Sequence, residues 1–301
     1  MKKILLTALL FAGMASSAGA QLLYKISGNG LAAPSYVIGT HHLANVSFVE
    51  KIPGVKDALT ATSQVYGELN MDLMSNADTI AAFTKQMMLP EGQSLKTVLD
   101  DAQYKKLDNF LKEFMGVGLG SPIVFNQFGK MKPAYLTTQL QALIFLQHHM
   151  GDFDPSSTFD QYFQAQAKKN NEPVGGLETY DFQAGLIGNE PMDRQVIGLM
   201  CLIDNVQATS DLLDEVTNAY YAQNIEGVKT AMDKEISANC ASTPEEKAAM
   251  IDNRNADWAA RMPAIMQDKP TFFAVGAGHL AGEKGLLQLL TNAGYTVEGV
   301  K

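Results

Sequence analysis

The sequence lacks several features that mark specialised classes of protein. It has two cysteines, one tryptophan and five histidines among 301 residues. Beyond a short apolar run at the N-terminus, no stretch approaches the roughly 20 apolar residues that a membrane helix needs. The 23 basic residues are outnumbered by 32 acidic ones, so the chain offers no basic footprint for nucleic acid or anionic lipid. We therefore expect a globular protein with no nucleic-acid partner and no membrane anchor.

The first twenty residues have the pattern of a secretory signal peptide. Lys2 and Lys3 precede an apolar run, Ile4 to Met14, and the small residues Ala18-Gly19-Ala20 provide a cleavage site. We expect a mature chain that begins at Gln21 and a protein that is periplasmic or secreted. No cysteine stands at the cleavage point, which argues against a lipoprotein anchor.

Export would place Cys201 and Cys240 where a disulfide persists. The bond would close a loop of about 40 residues, which the chain-entropy argument values at roughly 4 kcal/mol. The alternative is that Cys201, within an apolar stretch, is a small buried residue with a free thiol.

Strand and helix signals are unevenly distributed along the chain. Apolar runs bounded by turn residues predict strands at 22–27, 35–39, 64–69, 173–178, 271–275 and 295–300. Helical patterns dominate 72–170 and 190–262, with breaks at 90–92, 116–120 and 151–155, and shorter helices are predicted at 53–63 and 282–293. The sequence thus predicts an α+β fold in which small β-sheets from the N- and C-terminal parts are covered by a large, mostly helical middle region. We expect one domain over 21–301, with helical insertions at about 72–170 and 190–262.

One short motif occurs twice, each time at the end of a predicted strand. The first copy is Gly39-Thr-His41-His42-Leu, and the second is Gly276-Ala-Gly-His279-Leu. Because glycine tolerates positive φ, the chain can turn sharply there and present the following residues at the sheet edge. Two imidazoles brought together from distant parts of a chain are typical of a metal site or an acid–base pair. The doublet leaves open whether His41 or His42 points into the site.

Two glutamates stand where predicted strands end. Glu68 lies near the end of the apolar strand at 64–69, and Glu178 is the last residue of the strand at 173–178. A carboxylate in such a place must be paired, bound to a metal or shifted in pKa. His42, His279 and Glu68 would form a site for divalent manganese, cobalt, zinc or iron, where the pKa of a bound water falls towards neutrality. The alternative for each histidine is that it only satisfies a strand-to-helix turn.

Two further residues have both a catalytic and a structural interpretation. In the catalytic interpretation, one of Glu68 and Glu178 binds the metal and the other takes a proton from water. In the structural interpretation, Glu178 is a carboxylate favoured at a helix N-terminus by the helix dipole. Arg254 binds a substrate carboxylate, holds a glutamate through a bidentate pair, or forms a salt bridge on a surface helix.

Further motifs complete a resemblance to a known family. They are Tyr36-Val-Ile-Gly-Thr-His-His42, Val65-Tyr-Gly-Glu68-Leu, Phe159-Asp160-Gln-Tyr162, Gly176-Leu-Glu178-Thr with Gln183, Arg254-Asn255-Ala-Asp-Trp258, and Val275-Gly-Ala-Gly-His279-Leu-Ala-Gly282 with Gly294-Tyr295. In this order they resemble the TraB/GumN family, which is related to Tiki-type proteases and the erythromycin-esterase/ChaN-like fold. The chain departs from that pattern at His41, where the family more often has an apolar residue. The resemblance implies small sheets that carry the histidines, helices that cover them, and metal-dependent hydrolysis of peptides.

The leading hypothesis is an exported metal-dependent hydrolase, a peptidase, that acts on a peptide or small-molecule substrate through His42, His279 and Glu68, with Glu178 and Arg254 in support. The alternative is a non-catalytic protein that binds a peptide, heme or iron in the same pocket. A third hypothesis is metal-free, esterase-like hydrolysis in which a histidine is the general base. The sequence does not identify the natural substrate, the metal or the oligomeric state.

Overall fold

The computed structural model describes residues 21–149, 154 and 157–301, so the predicted signal peptide lies outside the described residues. Six strands in the described part form one sheet: β1 Leu23–Ser27, β2 Ser35–Thr40, β3 Gln64–Gly67, β4 Val174–Gly176, β5 Thr271–Gly276 and β6 Thr296–Gly299. Their order across the sheet is β4-β3-β5-β2-β1-β6. The α+β class predicted from the sequence is confirmed, and the strands from both ends of the chain share a single sheet.

Four of the strands are parallel, and they form the part of the sheet that matters for the site. β3 pairs in parallel with β4 and with β5, and β5 pairs in parallel with β2. β1 is antiparallel to both β2 and β6. The strands β2 and β5 are almost entirely buried, as expected for parallel strands that are covered on both faces. All four parallel strands therefore end at one edge of the sheet.

Helices make up most of the remaining described residues. Their bounds are α1 Val55–Ala61, α2 Ala77–Met87, α3 Leu95–Val98, α4 Asp101–Met115, α5 Pro122–Phe128, α6 Pro133–His148, α7 Phe159–Lys169, α8 Tyr180–Gly188, α9 Met192–Asp204, α10 Val206–Tyr221, α11 Ile225–Met232, α12 Pro244–Lys247, α13 Asn253–Asp268 and α14 Leu286–Asn292. One turn of π-helix, Ala248–Asp252, joins α12 to α13. Capping boxes begin α4, α7 and α12, where a side chain and the backbone satisfy each other's hydrogen bonds.

Buried apolar residues form two separate clusters. The larger one surrounds the sheet and includes the fully buried Phe163 of α7, Trp258 of α13 and Phe272 of β5. The second lies among α3 to α6 and α9, with Leu107 and Leu136 at its centre. The sheet and its covering helices thus have a core of their own, which fixes the strand ends that carry the candidate site.

The glycines of the repeated motif act through close packing. Neither Gly39 nor Gly276 has a positive φ, so the sharp turn predicted for that reason is wrong at both positions. A Cβ atom on Gly39 would lie 3.0 Å from the Cα atom of Ala277. Glycine in β2 therefore lets the turn after β5 approach the sheet, which brings the two copies of the motif together.

A disulfide joins Cys201 of α9 to Cys240 in the 3₁₀ turn Ala238–Cys240, with Cα atoms 5.6 Å apart. Arg194, on the same helix, binds Glu246 of α12 through Nε and Nη2 at 2.9 and 2.8 Å. These bonds fasten the segment between α11 and α12 to α9. That segment leads into α13, which carries Arg254.

The predicted helix break at 151–155 and the expected lack of a membrane helix are the remaining points of comparison with the sequence. Apart from Asp154 in its irregular backbone, the predicted helix break at 151–155 lies outside the described residues. Within the described chain, no individual helix combines the length and apolar character needed to cross a bilayer; α9 and α10 meet that test only together, with a bend of 90° between them.

Candidate active site

The carboxyl edge of the parallel strands brings most of the predicted site residues together. Glu68 follows β3 directly, Glu178 comes two residues after β4, and His279 comes three residues after β5. The strand pairing continues past β4, since the Glu178 backbone N–H donates to the Glu68 carbonyl at 2.8 Å. Crevices at this edge of a parallel sheet are where ligands bind in such folds.

Arg254 lies at the centre of this group. Its Nε and Nη2 donate to the two oxygens of Glu178 at 2.8 and 2.9 Å, and Nη2 also donates to Glu68 Oε2 at 2.6 Å. Nη1 lies 3.0 Å from His279 Nε2 and 3.0 Å from the Met250 carbonyl in the π-turn. One guanidinium thus holds both carboxylates through charge-assisted bonds, as the predicted bidentate pair requires.

Both carboxylates have further donors. Gln183 Nε2 donates to Glu68 at 2.9 Å and to Glu178 at 3.0 Å. Trp258 Nε1 donates to Glu178 at 3.0 Å, and the Gly276 backbone N–H donates to Glu68 Oε1 at 2.8 Å. Because the side chain of Glu178 is only 2% exposed and its oxygens accept from three side chains, its role here is to anchor Arg254.

His279 is held in one tautomer by the residue next to Arg254. Asn255 Nδ2 donates to the Lys284 carbonyl, which leaves Asn255 Oδ1 as an acceptor for His279 Nδ1 at 2.7 Å. Nε2 therefore carries the lone pair, and it accepts from Arg254. Burial lowers the pKa of His279 to about 4, although the charge of Glu68 opposes this shift. His279 is thus neutral near pH 7, with a lone pair available on Nε2.

Glu68 is ionised in spite of its burial. Burial by itself raises the pKa of this carboxyl, but the charges of His279, which is protonated at the acid pH where Glu68 titrates, of Arg254 and of His42 outweigh it. Together with the hydrogen bond from Gly276 they lower the pKa to about 2. Its Oε1 lies 3.9 Å from His279 Nε2. A charged oxygen and a neutral nitrogen therefore face each other across a short gap.

The two adjacent histidines, His41 and His42, lie in different environments. His41 Nε2 lies 2.9 Å from Thr217 Oγ1 of α10, and its ring packs against Tyr220. His42 is 71% exposed; its Nδ1 lies 3.5 Å from Asp160 Oδ2, and this contact raises its pKa above the ordinary value. The positive charge of His42 also contributes to the lowered pKa of Glu68.

The predicted ligand set of His42, His279 and Glu68 is not assembled as a compact metal site. No group of three histidine, cysteine or acidic side chains that could hold a metal ion occurs among the residues described by the structure. Glu68 and His279 have the donor chemistry for a divalent ion, but their 3.9 Å separation exceeds the roughly 3.4 Å between two tetrahedral ligands that lie about 2.1 Å from one ion. An ion held by this pair therefore requires that Arg254 leave His279 Nε2 and that the two side chains approach each other by about 0.5 Å.

Sequence reasoning missed the residues that hold the site in place. In the sequence, Asn255, Gln183, Asp160 and Trp258 stand only as members of the family motifs, with no role assigned to them. The spacing of Arg254 and Trp258 was a usable signal, because residues i and i+4 lie on the same face of a helix. The guanidinium carbon of Arg254 lies 4.8 Å from the centroid of the Trp258 ring, consistent with a cation–π contact.

These features define an α+β protein whose candidate active site lies at the carboxyl edge of a parallel sheet. Residues 22–299 match the TraB/PrgY/gumN family, and the chain belongs to that family.

The chain is also similar to proteins named metalloproteases in animals. It is 23% identical over 314 residues to the Metalloprotease TIKI homolog of Nematostella vectensis, covering 89% of this chain and 65% of that protein. It is 25% identical to Metalloprotease TIKI1 of Danio rerio and 24% identical to Metalloprotease TIKI1 of Homo sapiens, each over 88% of this chain and over 60% and 59% of the relative. The chain thus spans less than two thirds of the length of these relatives.

Proposed function

We propose that this protein is a metal-dependent hydrolase that cleaves peptides at the carboxyl edge of its sheet. The observation that carries the proposal is the pair formed by ionised Glu68 and neutral His279, with Oε1 and Nε2 facing each other at 3.9 Å. The names of the TIKI relatives support a metalloprotease activity, and the proposal extends that activity to this chain.

In this proposal Glu68 and His279 hold the divalent ion. When bound, such an ion supplies Lewis acidity, which lowers the pKa of water and polarises a carbonyl oxygen. Asn255 keeps the proton of His279 on Nδ1, so that Nε2 stays unprotonated and can act as a ligand once Arg254 leaves it. Arg254 and the Gly276 N–H keep Glu68 ionised over the working pH range.

Arg254 positions the carboxylates and does not touch the reacting atoms in this proposal. Its bidentate pair with Glu178 is buried, and Gln183 bridges the two glutamates. Arg254 binds Glu178 through Nε and Nη2 and His279 through Nη1 of the same planar guanidinium. A metal on His279 Nε2 would therefore require this group to tilt about its bonds to Glu178.

His42 is proposed as the proton donor to the leaving amine. Asp160 binds Nδ1 and favours the protonated imidazole, which leaves the Nε2–H as the donor. The exposure of His42 gives a substrate access to that atom.

The experiment uses residues 21–301, freed of metal and then incubated with a peptide library and manganese, cobalt or zinc. We expect cleavage that chelator abolishes, together with about one equivalent of bound metal by elemental analysis. His279→Ala and Glu68→Gln should lose both, while His148→Ala, on an exposed helix end, should retain both. Full metal binding by His279→Ala and Glu68→Gln would contradict the proposal.

The same experiment tests the binding-protein alternative. The observation in its favour is that Arg254 already compensates both carboxylates, so the network is complete without a metal. Tight binding of peptides that remain intact with every metal would support that alternative.

A further inference from the structure

A cavity of about 590 Å³ lies beside the candidate site. It extends from Gly278, the residue before His279, past Met250, whose carbonyl binds Arg254, to the Cys201–Cys240 disulfide. Its volume is within the range of about 300 to 1,000 Å³ that is typical of ligand pockets. Its inner end therefore lies one residue from His279, so a group bound there would adjoin the candidate site.

Two methionines line the cavity at its end near the site. Met232, at the end of α11, is 46% exposed, and Met250 in the π-turn is 41% exposed. Met232 packs so closely on Gly278 that a Cβ atom there would lie 2.4 Å from its sulfur. Ile236, Ile251 and Leu212 add further apolar surface. Exposed, unbranched thioether side chains adapt to apolar groups of different shape.

The charges around the cavity do not favour an anionic ligand. Lys229 pairs with Asp233 at 2.6 Å, and Lys234 with Glu215 at 2.5 Å. Lys247 pairs with Glu235 at 2.7 Å, so these lysines of the described lining are each compensated by a carboxylate.

Glu190 adds an acidic group to the same lining. Burial and the nearby charge of Glu246 raise the pKa of this carboxyl above its usual value. A second anion placed next to it would be repelled.

We propose that this cavity is the substrate subsite of the hydrolase and that it takes a bulky, neutral, apolar side chain of a peptide, such as leucine, methionine or phenylalanine, against Met232 and Met250. The proposal rests on the proposed function for the direction in which the peptide runs, from Glu68 and His279 into the cavity. The disulfide and Arg194 hold the outer wall of the subsite in place.

The test measures binding separately from cleavage. Fluorescent peptides that differ only at one position, which is leucine, methionine, phenylalanine, glycine or aspartate, are titrated into residues 21–301 in chelator and followed by polarisation. We expect the apolar peptides to bind about tenfold or more tightly than the glycine peptide, and the aspartate peptide to bind most weakly. Met232→Lys and Met250→Lys should each remove that preference, whereas Ile123→Lys, at a remote side chain that is 78% exposed, should retain it.

Each result distinguishes the subsite from the hydrolase activity. Equal binding of all five peptides, or an unchanged preference in both methionine variants, would overturn the subsite even if peptides are cleaved. The expected preference without cleavage by any metal would retain the subsite and overturn the hydrolase. If peptides are cleaved, an apolar residue should recur at a fixed distance from the cut bond. Loss of this positional preference in Met232→Lys and Met250→Lys would be a second confirmation of the subsite.

Discussion

At the level of single residues, Arg254 links the candidate site to the stability of the fold. Two buried carboxylates depend on one guanidinium, whose side chain is 7% exposed. Glu178 and Glu68 are 76 and 186 residues away in sequence, so the interaction closes the fold as well as the site.

We predict that Arg254→Gln lowers the free energy of unfolding of the metal-free protein by about 3 to 5 kcal/mol, because it leaves buried charges without their partner. Urea denaturation measures this loss. Lys56→Gln, which breaks an exposed pair with Glu50, should change the stability little. Equal losses of unfolding free energy in the two variants would contradict a larger stabilising contribution from the buried network.

His279 makes the stability of the metal-free protein depend on pH. Its pKa is about 4 in the folded protein, mainly through burial, against an ordinary 6.5. Below pH 6.5 the unfolded chain gains a proton that the folded protein does not, so the free energy of unfolding falls as the pH falls.

Between pH 6.5 and 5 this residue should account for a loss of up to about 2 kcal/mol. The measurement compares the unfolding free energies of the wild type and His279→Gln in chelator across that range. Because His41 also has a lowered pKa and titrates in both proteins, the difference between the two slopes is the quantity of interest. Parallel slopes would contradict the assignment.

At the level of elements, the segment between α11 and α12 is fastened to α9 by the disulfide and by Arg194. We predict that Cys201→Ser combined with Cys240→Ser lowers the free energy of unfolding by about 2 to 4 kcal/mol, since the unfolded chain loses a constraint across 39 residues. Denaturation with and without reductant measures this effect. The double variant should be insensitive to reductant, and a wild type that is equally insensitive would refute the prediction.

Elements were predicted from the sequence more successfully than their arrangement. All six strands were located because apolar runs and glycines mark them, and their ends differ from the prediction by at most two residues. The order of the strands was beyond sequence reasoning, since β5 lies between β3 and β2 through contacts over more than 200 residues.

The same limit applies to the site. Glu68, Glu178 and His279 were found because each follows the end of a strand. The central place of Arg254, the role of Asn255 in fixing a tautomer and the bond from Trp258 to Glu178 depend on tertiary contacts that one sequence does not reveal. The contact between His42 and Asp160 is likewise a tertiary one that the sequence does not reveal.

For the whole molecule, export and processing remain predictions. We expect the chain of residues 1–301, produced in a bacterial host, to be exported and cut before Gln21, because residues 1–20 have the pattern of a signal peptide. The cut would leave β1, which begins at Leu23, intact. Intact mass of the periplasmic fraction should correspond to residues 21–301 minus two hydrogens for the disulfide. Cytoplasmic protein that retains residues 1–20 would contradict this expectation.

The position of β5 in the sheet has a consequence for the order in which the molecule becomes active. This strand follows β2 and β3 by more than 200 residues in the chain, yet it lies between them in the sheet. The Gly276 N–H that binds Glu68 belongs to it. A nascent or clipped chain that stops before residue 271 lacks His279 and leaves Glu68 without two of its partners. Synthesis of residues 271–279 is therefore required before the candidate site is complete.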